Sequence, residues 1–421
     1  MEFNYIESLV LRLCKQPRSF EYLSMNAQSY DPTDLYKTLK VLEKKNFITN
    51  FDGLWCLKNH DPNSTIINNA DAKAKFFNEH IGFFALFEKP HPLDFEWRNS
   101  VGSLDFLVKH IECSTFDNDR ILLLGFPTLF AATSLKEMSQ HITLVDKNQP
   151  VIKDLEKLIS KDNFNIVEAD IFKVDPDLLG KYQMVILDPP WYSPHFYDFI
   201  WLAAKCVEIG GSISISIPPI NARPSIPQER IQWFSFCQEN GLCLENLYSQ
   251  KLSYAMPFFE FNAFRIAGVK DVLPFWRKGD LAIFKKTENI ETLRPLVNDV
   301  IEEWIEIQID TVRFRIKMDK TTGTKLPLQI HSIVDTEILP SISARDIRRN
   351  EANVWTSGNR IYKVQNSAKF VTLLEHIKSK KFEKIQEKDV AKQIELIIKF
   401  EKEEYNNYLD WLYHEMERHF D

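Results

Sequence analysis

Val185-Ile186-Leu187-Asp188-Pro189-Pro190-Trp191-Tyr192 carries the decisive reading of this 421-residue chain. The aliphatic run, entered from Met184, predicts a strand buried on both faces, as in a parallel sheet covered by helices. It must stop at Asp188, because Pro189 and Pro190 have no amide to offer a neighbouring strand and restrict the residues before them. An acid followed by two prolines and two aromatics thus stands at the carboxyl end of a buried strand, the edge where such sheets bind ligands.

The same pattern extends outward in both directions. Upstream, Arg120 to Leu124, Ile142 to Val145 and Asn165 to Val167 read as strands, separated by helical stretches such as Pro150 to Ser160. Downstream, Gly210-Gly211 opens a fifth strand, Ser212 to Ile217, and Leu242 to Gln250, Asn262 to Gly268 and Asp280 to Phe284 are the candidates from which antiparallel members complete the sheet. Strands alternating with helices predict an α/β, doubly wound, Rossmann-like sheet of seven strands over residues 100–286.

Three more strand ends hold candidate ligands. The first strand leads into Gly125-Phe126-Pro127-Thr128, where a glycine lets the backbone approach a bound carboxylate and proline suits the first helical turn. Only one glycine of the usual three is present. The second strand ends at Asp146, 21 residues past Gly125 by their numbers, where a carboxylate accepts two hydrogen bonds from a ribose diol. The third is followed by Asp170-Ile171-Phe172, an acceptor for an adenine amino group followed by apolar residues to pack on the ring. A single acid at a strand end is more often a helix cap; acids ending two strands of one sheet point to a nucleoside.

Asp188-Pro189-Pro190-Trp191-Tyr192 supplies the chemistry. A conjugated exocyclic amine is a poor nucleophile because its lone pair is delocalised. If the Asp188 carboxylate and the Pro189 carbonyl each accept one of its hydrogens, the nitrogen pyramidalises, and the prolines hold both acceptors rigidly. Trp191 or Tyr192 would stack on a base drawn out of its helix. The bland alternative is a structural Asp-Pro turn beside a core tryptophan.

This motif resembles the (D/N)PP(Y/F/W) of class I S-adenosylmethionine-dependent amino-methyltransferases, and its tryptophan form is closest to the N6-adenine enzymes. The order of glycine turn, Asp146, Asp170 and Asp188 is that of the unpermuted members. The resemblance, over residues 94–286, implies S-adenosyl-L-methionine as cofactor, held by Gly125, Phe126, Thr128, Asp146, Asp170, Ile171 and Phe172. It also implies catalysis by Asp188, Pro189, Pro190, Trp191 and Tyr192, without a metal. The layout is also similar to branched-chain polyamine synthases, which place a winged helix before a Rossmann-like aminopropyltransferase domain. Their acidic Gly-Asp-Asp-Asp turn is here Gly125-Phe126-Pro127-Thr128, which lacks the carboxylates a polycation needs.

Outside the sheet, residues 1–58 read as three helices and a hairpin, a winged helix-turn-helix. Ser19 and Asp31 are placed to cap its second and third helices, and Pro32 fits a first turn. The third helix offers Thr33, Tyr36, Lys37, Lys40 and Lys44 to a groove, but also Asp34 and Glu43. The segment holds eight Lys/Arg against seven Asp/Glu, so groove binding and a packing role stand level. Residues 59–99 read as a linker and lead-in. Residues 287–421 form a C-terminal α+β extension, a separate small domain or a partner-binding element. Arg223 and Arg230 are candidates to grip a phosphate.

Composition narrows the classes. The net charge of -7 is unlike that of a dedicated nucleic-acid binder. Six scattered cysteines without a CxxC pair argue for a reducing, cytoplasmic setting and against structural zinc. No apolar run is long enough for a membrane, and no signal-peptide pattern is expected. The leading expectation is an N-methyltransferase acting on adenine N6 of DNA or RNA. The alternatives are an aminopropyltransferase and an inactive fold serving as a binding module.

Overall fold

A computed structural model describes residues 3–59, 87–94, 96–295, 304–318, 327–343 and 345–418. The chain opens with helix α1 (Tyr5–Leu13), strand β1 (Arg18–Ser19), helices α2 (Phe20–Asn26) and α3 (Pro32–Lys44), and a hairpin of β2 (Ile48–Phe51) and β3 (Leu54–Leu57). Ser19 accepts from the Tyr22 amide at 3.2 Å, and Asp31 accepts from Thr33 at 2.8 Å, so each caps its helix. Leu35, Leu39 and Leu42 face one core from α3. That core is not closed within the module: it takes in Met256, Phe264, Val272 and Trp276 from the central part of the chain.

The central part contains α4 (Val101–Ser114), β4 (Arg120–Leu124), α5 (Pro127–Leu135), β5 (His141–Asp146), α6 (Gln149–Glu156) and β6 (Phe164–Glu168). It continues with α7 (Pro176–Leu179), β7 (Tyr182–Leu187), α8 (Ser193–Cys206), β8 (Val207–Ile217), α9 (Ile226–Glu239), β9 (Leu242–Tyr254), α10 (Phe258–Ile266) and β10 (Arg277–Lys286). The seven strands lie in the order β6-β5-β4-β7-β8-β10-β9. The first five are parallel, with Leu124 opposite both Val145 and Leu187. The sheet is therefore the mixed seven-stranded sheet of a Rossmann-like methyltransferase fold, with apolar layers on both faces.

Two sequence expectations are corrected. Asn262 to Gly268 is not a strand: Asn262–Ile266 lies in α10, and the segment closes in a turn at Gly268, where φ is +79°. Pro257 precedes that helix, and Phe258, Phe261 and Phe264 recur at helical spacing to meet neighbouring layers. Strand β9 is not antiparallel to the parallel set. It pairs antiparallel only with β10, which is itself antiparallel to β8, so β9 runs in the common direction.

The C-terminal part builds a second sheet from β11 (Trp304–Ile309), β12 (Val312–Lys317), β13 (Gln329–Ser332), β14 (Val354–Thr356) and β15 (Ile361–Gln365), in the order β11-β12-β14-β15-β13. Helices α11 (Ser367–Lys378) and α12 (Lys388–Arg418) cover it. It is not detached from the rest. Tyr408 of α12 donates to the Met256 carbonyl at 2.8 Å, and Phe258 packs on Tyr405 and Tyr408.

Residues 87–94 and 96–99 of the expected linker and lead-in are buried or half-buried structure, while residues 60–86 lie outside the described residues. The Arg313 guanidinium, 2% exposed, binds Asp94 at 2.8 Å, Glu306 at 2.9 Å and the Lys89 carbonyl at 2.9 Å. His91, fully buried, donates through Nε2 to the Trp355 carbonyl and accepts the Leu93 amide at Nδ1. Burial and the nearby arginines push its basicity well below the ordinary histidine value.

Candidate active site

Asp188 leaves β7 at the carboxyl edge of the sheet, where its amide still donates to the Leu124 carbonyl. It forms part of the wall of a cavity of about 710 Å³ together with Pro189, Pro190, Trp191 and Tyr192. The cavity joins three stretches distant in sequence. Asp31, Thr33, Asp34 and Lys37 come from the start of α3, Trp97, Tyr254, Trp276 and Arg277 from the central part, and residues 340–343, Arg345, Asp346 and Arg348 from the C-terminal part. The beginning of the third helix, expected to face a groove, thus lines the same cavity as Asp188.

Asp188 is half-buried, open to the cavity and otherwise enclosed. Enclosure pushes its carboxyl up to about 7, opposed by the nearby Ser216 and Tyr254 hydroxyls, which favour the charged form. The Tyr254 hydroxyl donates to Asp188 Oδ1 at 2.9 Å, and the Ser216 and Tyr254 hydroxyls lie 2.5 Å apart. The rings of Tyr254 and Trp191 also meet at right angles, with centroids 5.8 Å apart.

Arg277 sits among three tryptophans, 4.6 Å from the ring centre of Trp276, 5.0 Å from Trp97 and 5.6 Å from Trp191. Its charge is balanced by the fully buried Glu260, which also accepts from Trp97 Nε1 at 3.3 Å. Cation–π packing of this kind fixes the indole planes lining the cavity. Arg223 lies 5.8 Å from the Tyr192 ring and pairs with Glu229. Arg230 does not reach the cavity: it is buried against Asp280 at 2.8 Å, a structural ion pair rather than a phosphate grip.

The remaining candidates stand along the same sheet edge but do not line this cavity. Gly125 has φ of +60°, a conformation that favours glycine, and a Cβ there would crowd the Phe199 ring at 3.3 Å. Phe126 is buried in the core with its ring, and Thr128 is buried with its hydroxyl on Asn99 Oδ1 at 3.3 Å. What this turn presents is backbone: the first turn of α5 has no side-chain cap.

Asp146 is half-buried, accepts from the Asn148 amide at 2.8 Å, and is pushed up to about 6 by burial, with Glu96 and Asp94 adding to the rise. Asp170 accepts from the Phe172 amide at 3.2 Å, with Lys147 at 3.8 Å. Ile171 is buried, and Phe172 packs edge-on against His195 and Phe199. Glu96, whose two oxygens take Arg98 Nε and Asn148 Nδ2, lies beside Asp146 and had no signal in the sequence. Among the described residues no cluster of three or more His, Cys, Asp or Glu is placed to hold a metal, and no helix is long and apolar enough to cross a membrane.

No family model matches the sequence. No curated protein matches it. Solved structures do resemble it. The branched-chain polyamine synthase of Thermus thermophilus, in complex with N4-aminopropylspermidine and 5'-methylthioadenosine, aligns at TM-score 0.55 and 11% identity over 69% of this chain and 88% of its own. Its C9 mutein gives 0.56 and 11%, over 70% and 90%. A TehB-like SAM-dependent methyltransferase of Corynebacterium glutamicum covers 44% of this chain and 88% of its own, at 12% identity and a TM-score of 0.30. The first two likenesses extend well beyond the central sheet, and at their identity they establish a shared fold.

Proposed function

We propose that the chain is an S-adenosyl-L-methionine-dependent N-methyltransferase acting on an exocyclic amino group, with adenine N6 of DNA or RNA as the target. The observation that carries this reading is Asp188 at the end of β7, with one carboxylate oxygen held by Tyr254 and the group facing an aromatic-walled cavity of about 710 Å³. The donor set fits the cofactor. The uncapped first turn of α5 offers amides to a carboxylate, half-buried Asp146 suits a ribose diol, and Asp170 with Ile171 and Phe172 suits adenine.

When bound, S-adenosyl-L-methionine supplies a sulfonium methyl as electrophile. The protein's part is to aim the amine. Asp188 and the Pro189 carbonyl accept its two hydrogens and turn the lone pair outward. Trp191, fixed by Arg277 and Tyr254, stacks the base. A carboxyl poised near 7 can then take the proton that the methylated amine releases. In this reading residues 1–58 form a winged helix lending one wall to the site, residues 100–286 are the catalytic domain, and residues 287–421 complete the mouth and offer a face to a protein partner. A reducing, cytoplasmic setting suits the free cysteines.

The test is transfer of labelled methyl groups to mixed DNA and RNA by the wild type, Asp188→Ala and Trp191→Ala. Labelling by wild type that Asp188→Ala loses supports the reading; equal labelling by both sinks it. Aminopropyl transfer is the second reading, favoured by the extended fold likeness to the polyamine synthase. Calorimetry with S-adenosyl-L-methionine and its decarboxylated form separates the two. Preference for the decarboxylated form selects aminopropyl transfer, and binding of neither selects a fold that serves only as a binding module.

A further inference from the structure

Tyr254 and Asp188 come from strands that are not neighbours. Across the sheet the order is β7, β8, β10, β9: Asp188 follows β7, and Tyr254 ends the edge strand β9. The tyrosine ring reaches inward across the two strands between them, and each of those strands accommodates it. On β10 the position beside the ring is Gly279, where a Cβ would stand 3.1 Å from Tyr254 Cε2 and 3.3 Å from its hydroxyl oxygen. On β8 the residue met is Ser216, whose hydroxyl lies 2.5 Å from that of Tyr254.

The backbone around the tyrosine is pinned on both sides. The Ser253 carbonyl accepts from the Ser100 amide at 2.7 Å, and the Ala255 amide donates to the Arg98 carbonyl at 2.7 Å. Proton bookkeeping then gives the chain a direction. The single Tyr254 proton goes to Asp188 Oδ1, so Ser216 donates to the Tyr254 oxygen.

We propose that Tyr254, backed by Ser216, is a positioning residue that locks the Asp188 carboxylate in one orientation, committing Oδ1 and leaving Oδ2 for the substrate amine. This rests on the reading of Asp188 as the amine acceptor. Burial of the tyrosine, its contact with Trp191 and the glycine that admits it all serve one end: an acceptor that does not rotate when the amine arrives.

The experiment is carbon NMR of full-length protein labelled at the aspartate carboxyl carbon, with the Asp188 signal identified by its loss in Asp188→Asn. Wild type, Tyr254→Phe and Ser216→Ala are titrated. Phenylalanine keeps the ring and its packing and removes only the donor. The wild-type midpoint is expected near 7. Tyr254→Phe should move it upward, because a bond favouring the charged form is gone, and Ser216→Ala should move it the same way.

In methyl transfer, Tyr254→Phe should lower kcat on the order of ten- to hundredfold, shift the acid limb of the pH profile upward with the NMR midpoint, and leave cofactor affinity unchanged. An unmoved Asp188 midpoint in both folded variants overturns the proposal. A moved midpoint in a protein whose Asp188→Asn form transfers as well as wild type keeps Tyr254 as the partner of Asp188. It overturns instead the amine-acceptor reading, and with it the role assigned to Oδ2.

Discussion

The Ser29 hydroxyl and the Lys278 backbone are joined reciprocally: Ser29 Oγ donates to the Lys278 carbonyl at 2.9 Å and accepts the Lys278 amide at 2.5 Å. These residues lie 249 positions apart and tie the N-terminal helices to β10. Asn221 Nδ2 adds a bond to Gln28 at 2.7 Å. Removing residues 1–58 would uncover Phe264, Val272 and Trp276, all buried in the shared core. The truncated protein is expected to melt lower than the full chain and to bind a hydrophobic dye in the folded baseline. An unchanged melting temperature without dye binding would show that the module is an independent appendage.

Asp188 makes stability depend on pH in a direction opposite to that of a salt-bridged acid. Its carboxyl is raised from the ordinary 3.8 to about 7 in the folded protein, so between those values the folded state binds a proton that the unfolded state releases. This contribution is fully present below about pH 4 and is lost as pH rises through 7. The urea midpoint of Asp188→Asn minus that of wild type should therefore grow from pH 4 to pH 7 and level off above. A difference that stays flat across this range would place Asp188 in a more polar setting.

For Asp146 the expected loss is in binding rather than folding. Asp146→Ala leaves a ribose diol without its acceptor, which costs about 1–3 kcal/mol in cofactor affinity. The wild-type affinity should also weaken as pH falls through 6, where burial has raised this carboxyl and the better-accepting charged form is lost. Calorimetry at pH 8 and pH 5.5 reads both effects. Equal affinity of a folded Asp146→Ala protein at pH 8 removes Asp146 from the cofactor site.

Arg313 is the anchor between the lead-in residues and the second sheet. Arg313→Met keeps some of the packing but leaves Arg315 as the one cation paired with Asp94 and Glu306 among the described residues. Breaking a buried pair from one side costs about 3–5 kcal/mol, and the remaining arginine places the expectation at the lower end. Urea unfolding measures it, and a loss below about 1 kcal/mol would mean that Arg315 suffices alone.

The sequence by itself determined the parallel core of the fold and its chemistry-bearing edge. The strands ending before Gly125, Asp146, Asp170 and Asp188 were legible because a buried parallel strand needs an unbroken aliphatic run, and glycine, acid or proline ends such a run. The helix caps at Ser19 and Asp31 were legible for the same local reason. What lies beyond a residue's own neighbours was not. Asn262 to Gly268 taken alone passes for a short strand, yet it continues a helix that begins at Phe258 and packs against apolar layers from distant segments.

Tyr254 carries no local mark as the partner of Asp188; its hydrogen bond to Asp188 depends on β10 inserting between β8 and β9 and on glycine at position 279. Arg230 and Arg277 are the same residue type, but one is buried on Asp280 while the other stands among tryptophans at the cavity. Only the tertiary structure decided that the third helix, Asp188 and residues 340–343 share one cavity. Strand order and the burial of distant side chains are set by packing between segments hundreds of residues apart, and local sequence patterns carry no record of those partners.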